Sequence, residues 1–200
     1  MNRLPLKIGV TGSIGTGKTT IVQEFAKHNI LTWNSDHVVH QLYKKGNRGY
    51  DIVKKFVPEA AKSDCISREI LFKSILENPV ILTELEKSIH PLVEMERSRF
   101  IKKNNYEPLI VLDIPLLFET SCDTWLDYII VATVPFSIQK KRVLARKSMT
   151  EEKFLYLLSK QRNIEEIKMK ANFVLNTDIS VIKLSAKIKK ILKEILHHYD

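Results

Sequence analysis

The residues best suited to chemistry form a glycine-rich octapeptide, GSIGTGKT at positions 12–19, which matches the pattern G-x-x-x-x-G-K-[ST] in full. Glycines at these spacings let the backbone curl until several N–H groups point inward at an anion. The lysine of this pattern reaches the β- and γ-phosphates of a nucleoside triphosphate, and the hydroxyl after it ligates Mg²⁺. The alternative is a glycine-rich turn without a ligand, but the position between a predicted strand and a predicted helix favours phosphate binding.

The pattern therefore predicts that the chain binds ATP and Mg²⁺ at a phosphate-binding loop, defined here as residues 12–19. Thr19 is the predicted hydroxyl ligand of the metal, and Lys18 is the predicted catalytic cation. The residues predicted to bind ATP are Gly12, Ser13, Ile14, Gly15, Thr16, Gly17, Lys18, Thr19 and Thr20, together with Arg142.

Two aspartates follow predicted strands. Asp113 ends the apolar run LIVLD, and a carboxylate on a strand beside the loop commonly holds Mg²⁺, often through water. Its alternative is a cap on the next turn. Asp36 follows the second predicted strand and is able to take a proton from an acceptor hydroxyl. Its alternative is the N-cap of the helix that follows.

A basic stretch spans residues 140–170, where ten Lys or Arg stand against four Glu, in a chain of net charge +9. Such a field attracts anions such as nucleotides or nucleic acid, although a solvated helical face is the alternative. Arg142 and Arg146 are four residues apart, which places them on one face of a predicted helix. Two guanidinium groups on one face clamp phosphate oxygens, and surface ion pairing is the alternative.

Five apolar runs alternate with helical patterns, which predicts an α/β fold with a parallel sheet and helices on both faces. Ligands of such sheets bind beyond the carboxyl ends of the strands, where the loop and both aspartates fall. The predicted strands are 7–11, 30–33, 109–114, 128–134 and 173–175. The predicted helices are 19–28, 37–45, 139–162 and 181–199, with 47–106 mostly helical and broken at Asn78-Pro79 and His90-Pro91.

The composition fits a globular protein, with 44% hydrophobic and 28% charged residues among 200. No apolar run approaches the roughly 18 residues of a transmembrane helix, and the first residues lack a signal-peptide pattern. Cys65 and Cys122 have neither disulfide-rich nor metal-binding spacing. These features predict a cytoplasmic protein that does not contact a membrane.

The residues above, taken together, resemble the dephospho-CoA kinase family over nearly the whole chain. DIPLLFE at 113–119 is the most specific of the shared motifs. The others are the loop itself, Asn34-Ser35-Asp36, Ser67-Arg68-Glu69-Ile70-Leu71, Leu85-Glu86 with Ile89-His90-Pro91-Leu92-Val93, and Gln139, Arg142, Arg146, Gln161 and Asn176. A phosphate-binding loop alone marks many families, whereas this combination marks few.

The resemblance implies a P-loop kinase with a five-stranded parallel sheet and the reaction ATP + 3′-dephospho-CoA → ADP + CoA. It implies one kinase domain with a core at about 1–36, 107–138 and 171–200, a helical CoA-binding insertion at about 37–106 and a lid at about 139–170. Asp36 would be the base, Arg142 and Arg146 would be catalytic, and Asp113 would hold the metal. His90, Pro91, Leu116, Phe118 and Asp36 would contact the acceptor. We expect a monomer that binds no nucleic acid.

The chain departs from the family pattern at four positions. Asn34 replaces a family aspartate, Ser13 replaces a frequent glycine, Val57 stands where glycine is often found, and Asn172 stands where aspartate is usual. The substitution at Asn34 puts any duty of that carboxylate toward the metal in question.

Three alternatives remain at this point. The first is another kinase of a nucleoside or nucleotide. The second is a GTP-dependent switch, although the sequence contains no N-K-x-D motif. The third is a nucleic-acid-binding protein, suggested by the basic pI near 9.4, although no recognisable RNA or DNA module is present.

Overall fold

Five short apolar runs form one sheet in the computed structural model, which describes residues 4–147 and 149–197. The strands are β1 (Leu6–Thr11), β2 (Leu31–Asn34), β3 (Leu109–Asp113), β4 (Tyr128–Thr133) and β5 (Phe173–Asn176). Their order is β2-β3-β1-β4-β5, with β1 parallel to β3 and β4, and β4 parallel to β5. Every residue of β3 is buried, which explains why that strand lacks polar alternation. The predicted five-stranded parallel sheet is confirmed.

The α-helices lie between successive strands and after β5, with α2 to α5 in the segment between β2 and β3. They are α1 (Lys18–Lys27), α2 (Ser35–Leu42), α3 (Arg48–Phe56), α4 (Arg68–Glu77), α5 (Val80–Lys103), α6 (Phe136–Leu144), α7 (Glu151–Ser159), α8 (Ile164–Met169) and α9 (Val181–His197). The predicted end of the last helix at Tyr199 lies outside the described residues. Within residues 4–147 and 149–197, no helix combines the length and the apolarity needed to cross a lipid bilayer.

The described residues form two compact units. The sheet unit contains the residues up to 33 and those from 105 onward, and the helical unit is Asn34–Asn104. In the sheet unit, α1 and α9 bury their apolar faces against the strands, with Phe25, Ile188 and Ile195 essentially inaccessible to solvent. Each such side chain stabilises the fold by about 1.5–3 kcal/mol. This packing fixes the start of α1, where the glycine-rich loop ends.

The segment after β3 lies against the sheet because β1 carries a glycine at position 9. A Cβ added to Gly9 would lie 2.4 Å from Leu126 Cδ1 and 2.7 Å from Leu117 Cδ1. A larger residue would therefore push the segment that begins with DIPLLFE away from the strand.

The helical unit has a core of its own, formed by α3, α4 and α5 with the turn at Pro58–Ala60. Its buried apolar residues include Val53, Leu71 and Leu85. The Tyr50 hydroxyl donates a hydrogen bond of 2.6 Å to the carbonyl of Lys62, which ties α3 to the segment before α4. Residues on the outer faces of these helices are therefore held in place by this core.

The structure corrects the predicted start of α2. This helix begins at Ser35 rather than at His37, and its N-cap is Asn34, whose Oδ1 accepts a 2.7 Å hydrogen bond from the His37 N–H. The alternative assignment of Asp36 as the N-cap was therefore wrong. Asp36 lies in the first turn of the helix, where an acidic side chain interacts favourably with the helix dipole.

The predicted helix break at His90-Pro91 was also wrong, because Pro91 lies inside the 24-residue α5. A proline removes one backbone donor and usually kinks or ends a helix. Here Leu85, Ile89 and Leu92 are buried on both sides of the proline, and this packing carries the helix through it. The break at Asn78-Pro79 is confirmed, since α4 ends at Glu77 and α5 begins at Val80.

The basic helix predicted at 139–162 is instead two helices. α6 ends at Leu144, and α7 begins after Thr150, whose hydroxyl accepts a 3.2 Å hydrogen bond from the Lys153 N–H. Arg146 therefore lies beyond the end of α6 and is exposed, so it does not share a helical face with Arg142. The local N-cap at Thr150 outweighed the continuous helical pattern.

Candidate active site

The glycine-rich loop connects β1 to α1, as the sequence predicted. Gly12 has φ 141°, and a Cβ there would lie 2.5 Å from the Ala132 carbonyl oxygen. Gly17 has φ 87°, and a Cβ there would lie 2.7 Å from Thr177 Oγ1. Both positions are therefore restricted to glycine by conformation and by space.

Polar side chains of the loop hold its own backbone in place. The Thr16 hydroxyl donates a 2.8 Å hydrogen bond to the Ser13 carbonyl. Lys18 Nζ donates to the carbonyls of Gly12 and Ser13 at 2.6 and 2.9 Å. The ammonium group is therefore held against the mouth of the loop, where a polyphosphate would meet it together with the backbone N–H groups.

One side of the loop is supported by Thr177, which lies just after β5. Its hydroxyl donates a 2.7 Å hydrogen bond to the Thr16 carbonyl. Arg142 donates in turn to Thr177, from Nη1 to Oγ1 at 2.9 Å and from Nη2 to the carbonyl at 3.1 Å. The exposed contact of Arg142 with Asp178, at 3.9 Å, adds little. The structure thus places Arg142 beside the loop through one intervening residue.

Sequence reasoning did not single out Thr177. Its position was the available signal, because it follows the carboxyl end of the last strand, at the edge of the sheet where ligands bind. Glu119 was noted only as part of a motif, yet its carboxylate accepts a 2.8 Å hydrogen bond from the Arg162 N–H.

The other side of the loop contacts two glutamine side chains, Gln139 from α6 and Gln161 from the turn after α7. Beside them lies a cleft of about 580 Å³, lined by residues of the loop, of the ends of β4 and β5, and of the segment from α6 to α8. Its polar lining includes Ser13, Thr16, Arg162 and Lys168.

The two predicted metal ligands lie in the sheet unit. Asp113 pairs with Val10 in the register of β3 with β1, so it lies beside the strand residue that leads into the loop. Asp113 is 3% exposed, and Thr19 is the second residue of α1. Among the described residues, no group of three or more His, Cys, Asp or Glu is arranged to hold a metal ion.

The acceptor-binding candidates of the sheet unit differ in exposure. Leu116 is half-buried, whereas Phe118 is 3% exposed, and the ammonium of Lys170 lies 5.7 Å from the centre of its ring. This distance is within the range of a cation–π contact. Phe118 therefore supports the turn around Lys170 and presents little surface of its own.

The helical unit carries the remaining predicted residues on its surface. Asp36 is exposed in the first turn of α2. His90 and Pro91 are exposed on α5, next to the buried Ile89 and Leu92. They are held by the packing beneath them, and their role toward an acceptor remains a prediction.

The chain is similar to known proteins over nearly its whole length. A family model for dephospho-CoA kinase matches residues 6–183. The dephospho-CoA kinase of Ruegeria pomeroyi is 35% identical over 192 residues, covering 96% of each chain. That of Rhizobium etli is 37% identical over 192 residues, covering 95% of this chain and 94% of the relative. The crystal structure of TT1252 from Thermus thermophilus has a TM-score of 0.81 and 28% identity, covering 96% of this chain and 98% of that one.

Proposed function

The chain belongs to the dephospho-CoA kinase family, and from that premise we propose which of its residues carry out the reaction. The activity of the family is the transfer of the γ-phosphoryl group of ATP to the ribose 3′-hydroxyl of 3′-dephospho-CoA, which yields ADP and CoA. The observation that carries the proposal is the constrained loop at residues 12–19, with Lys18 bonded across its mouth.

The loop residues would bind the triphosphate of ATP. Backbone N–H groups along 12–20 would donate to the phosphate oxygens, and the dipole of α1 would add to their attraction. Lys18 would exchange its bonds to the loop carbonyls for the β- and γ-phosphates. Because the glycines and Thr177 fix this geometry beforehand, little reorganisation would be needed as charge develops.

Mg²⁺ fits the residues at the start of α1 and the end of β3. Thr19 supplies a hydroxyl and Asp113 a carboxylate, which are the hard oxygen ligands that this ion prefers. Few protein ligands are required, since Mg²⁺ keeps several waters and binds phosphate oxygens. When bound, the ion would neutralise charge on the β- and γ-phosphates.

Asp36 would orient the 3′-hydroxyl and remove its proton during transfer. Its exposure on α2 suits a group that must meet a substrate. His90 and Pro91 on α5, with Leu116 in the sheet unit, would contact dephospho-CoA. Phe118 is buried, so it would act on the acceptor only through the turn around Lys170. The helical segment at about 37–106 would thus serve the acceptor.

Arg142 and Arg146 would stabilise negative charge on the transferring group from the lid at about 139–170. Arg142 reaches the loop through Thr177, whereas Arg146 is exposed and would act only when the lid closes. We further propose that the protein is a cytoplasmic monomer without a nucleic-acid partner.

A coupled assay of ADP release tests this proposal. The full chain is given ATP and Mg²⁺ with 3′-dephospho-CoA, and in parallel with adenosine, AMP and shikimate. We expect efficient turnover with 3′-dephospho-CoA alone. Comparable turnover with a nucleoside or nucleotide would contradict the acceptor roles given to the helical segment.

A further inference from the structure

The dipeptide Ser13-Ile14 of the loop is contacted by both ends of the segment 139–161, which makes up most of the lid proposed at about 139–170. From α6, Gln139 Nε2 donates to Ser13 Oγ at 3.0 Å and to the Ile14 carbonyl at 2.7 Å. Gln139 is 6% exposed and Ser13 is 5% exposed. These hydrogen bonds are therefore shielded from water. Breaking one of them would leave a buried polar group without a partner.

The second contact to Ser13-Ile14 comes from the other end of this segment, at Gln161. Gln161 Oε1 accepts a 2.7 Å hydrogen bond from the Ser13 hydroxyl and a 3.0 Å hydrogen bond from the Ile14 N–H. The next residue, Arg162, is held by its own N–H bond to Glu119. Gln161 is thus attached to the loop on one side and lies next to a fixed backbone position on the other.

The Ser13 hydroxyl joins the two glutamines. It accepts from Gln139 and donates to Gln161, so one oxygen connects the two ends of the segment 139–161 and the loop. The glutamines also bond the backbone of Ile14, and those bonds do not depend on the residue at position 13. A glycine or alanine at position 13 would therefore remove the link between Gln139 and Gln161 and leave each glutamine bonded separately to the backbone of Ile14.

We propose that Ser13 is a positioning residue that couples the lid to the occupancy of the phosphate-binding loop. When a triphosphate binds the preformed loop, the Ser13 hydroxyl transmits its occupancy to Gln139 and Gln161, and the amides of residues 150–160 become more protected from exchange. This inference rests on the proposed function only in taking the loop's ligand to be the triphosphate of ATP.

Hydrogen exchange of the full chain, with and without a non-hydrolysable ATP analogue, tests the coupling. In the native protein we expect the analogue to protect amides of both 12–20 and 150–160. In Ser13→Ala the analogue should still protect 12–20 but lose its effect on 150–160. Equal protection of 150–160 in both proteins, or none in the native protein, would overturn the proposal.

Two variants separate coupling from a local structural effect. Ser159→Ala is the matched control, because Ser159 bonds only the nearby Tyr156 carbonyl within α7 and should leave the response unchanged. Ser13→Thr keeps the hydroxyl and should restore the lid response that Ser13→Ala lacks. Failure of this rescue, or loss of the response in Ser159→Ala, would count against Ser13 as the link.

Kinetics give a second, independent reading. Ser13→Ala should raise the KM for ATP about fivefold, which corresponds to one neutral hydrogen bond. If the hydroxyl acts through Gln161, the variant with Ser13→Ala and Gln161→Ala together should be no worse than Gln161→Ala alone. A rise equal to the product of the two single effects would show that the residues act separately and would overturn the link.

The exchange experiment needs no acceptor, so it stands even if 3′-dephospho-CoA is not the substrate. The proposed function, by contrast, is tested by turnover of the native protein with that acceptor. The two failures are therefore distinguishable.

Discussion

The phosphate-binding loop and the helical unit hold their functional side chains in different ways. Around the loop, Ser13, Thr16 and Gln139 are buried, and each is hydrogen-bonded to neighbouring groups. In the helical unit, Asp36 is exposed on α2, which buries none of its residues, and His90 is exposed on α5, which contributes Leu85 to the apolar core. The loop is constrained by polar contacts within the site, whereas Asp36 and His90 are positioned by the helices that carry them.

Under the proposed function, this difference separates the recognition of ATP from the recognition of the acceptor. A triphosphate is the same in every nucleotide, so a fixed cradle of N–H groups and one lysine serves it with little reorganisation. An acceptor such as dephospho-CoA is long and chemically varied, so exposed groups on a separate surface suit it. We therefore expect loop substitutions to impair ATP use and substitutions in the helical unit to impair acceptor use.

The largest effect is expected from Lys18→Ala. This change removes the cation at the mouth of the loop and should lower kcat/KM by about a thousandfold. The coupled assay with isothermal titration of ATP measures it, and Lys193→Ala, an exposed lysine on α9, is the control. Normal ATP affinity and turnover in Lys18→Ala would remove the loop from the reaction.

The next effect should separate the two regions. Asp36→Asn keeps the shape of the side chain but removes the carboxylate that we propose as the base, so kcat should fall by about a hundredfold while ATP affinity stays the same. Asp51→Asn is the matched control, because Asp51 lies in the first turn of α3 in the same unit. An unchanged kcat in Asp36→Asn would exclude it as the base.

A smaller effect is expected from His90→Ala. Loss of one contact to the acceptor should raise the KM for 3′-dephospho-CoA by about tenfold and leave the KM for ATP unchanged. Steady-state kinetics with each substrate varied in turn measure both values. A rise in the KM for ATP alone would contradict the proposed division between the two regions.

The two lid arginines provide a comparison of similar size. Arg142→Ala removes the support of Thr177, which bonds the loop, so it should raise the KM for ATP by about tenfold. Arg146→Ala removes an exposed group that we propose to act only when the lid closes, so it should lower kcat and leave that KM unchanged. Identical profiles for the two variants would contradict the distinction drawn from their positions.

The smallest effect concerns the support of the loop by α1. The Lys27 ammonium donates to Glu24 and holds the pKa of that carboxyl below its usual value of 4.5. A lowered pKa in the folded state stabilises the protein above the usual value, and the gain is lost as pH falls through the folded pKa. Glu24→Gln should therefore lower the Tm at pH 7 by at most about 4 °C, and the difference should vanish at low pH. A difference that grows below pH 4 would contradict this sign.

Much of the sheet unit was predictable from the sequence. β3 and β4 are continuous apolar runs because both of their faces are buried, and the loop motif fixed the junction of β1 with α1. The errors fell where one local interaction decided the outcome. Asn34, not Asp36, is the N-cap of α2, and Thr150 is the N-cap of a separate helix, α7. The helix α5 continues through Pro91 because residues on both sides of the proline are buried.

The candidate site was predicted in composition but not in its connections. The positions of the loop and of Asp113 at the strand ends were predicted because their residue types and spacing are distinctive, whereas their roles remain predictions. Thr177 and the glutamine contacts were not found, since Thr177 lies 161 residues from its partner Thr16 and a threonine has no distinctive pattern. Such contacts depend on how strand ends meet, and local sequence does not reveal this.

The division between the two regions is tested most directly by mapping the exchange protection that each substrate gives by itself. The account predicts that an ATP analogue slows amide exchange at residues 12–20, and that 3′-dephospho-CoA slows it in α2 and around His90 on α5. Protection of the loop by both ligands, with the helical unit unchanged by dephospho-CoA, would contradict it.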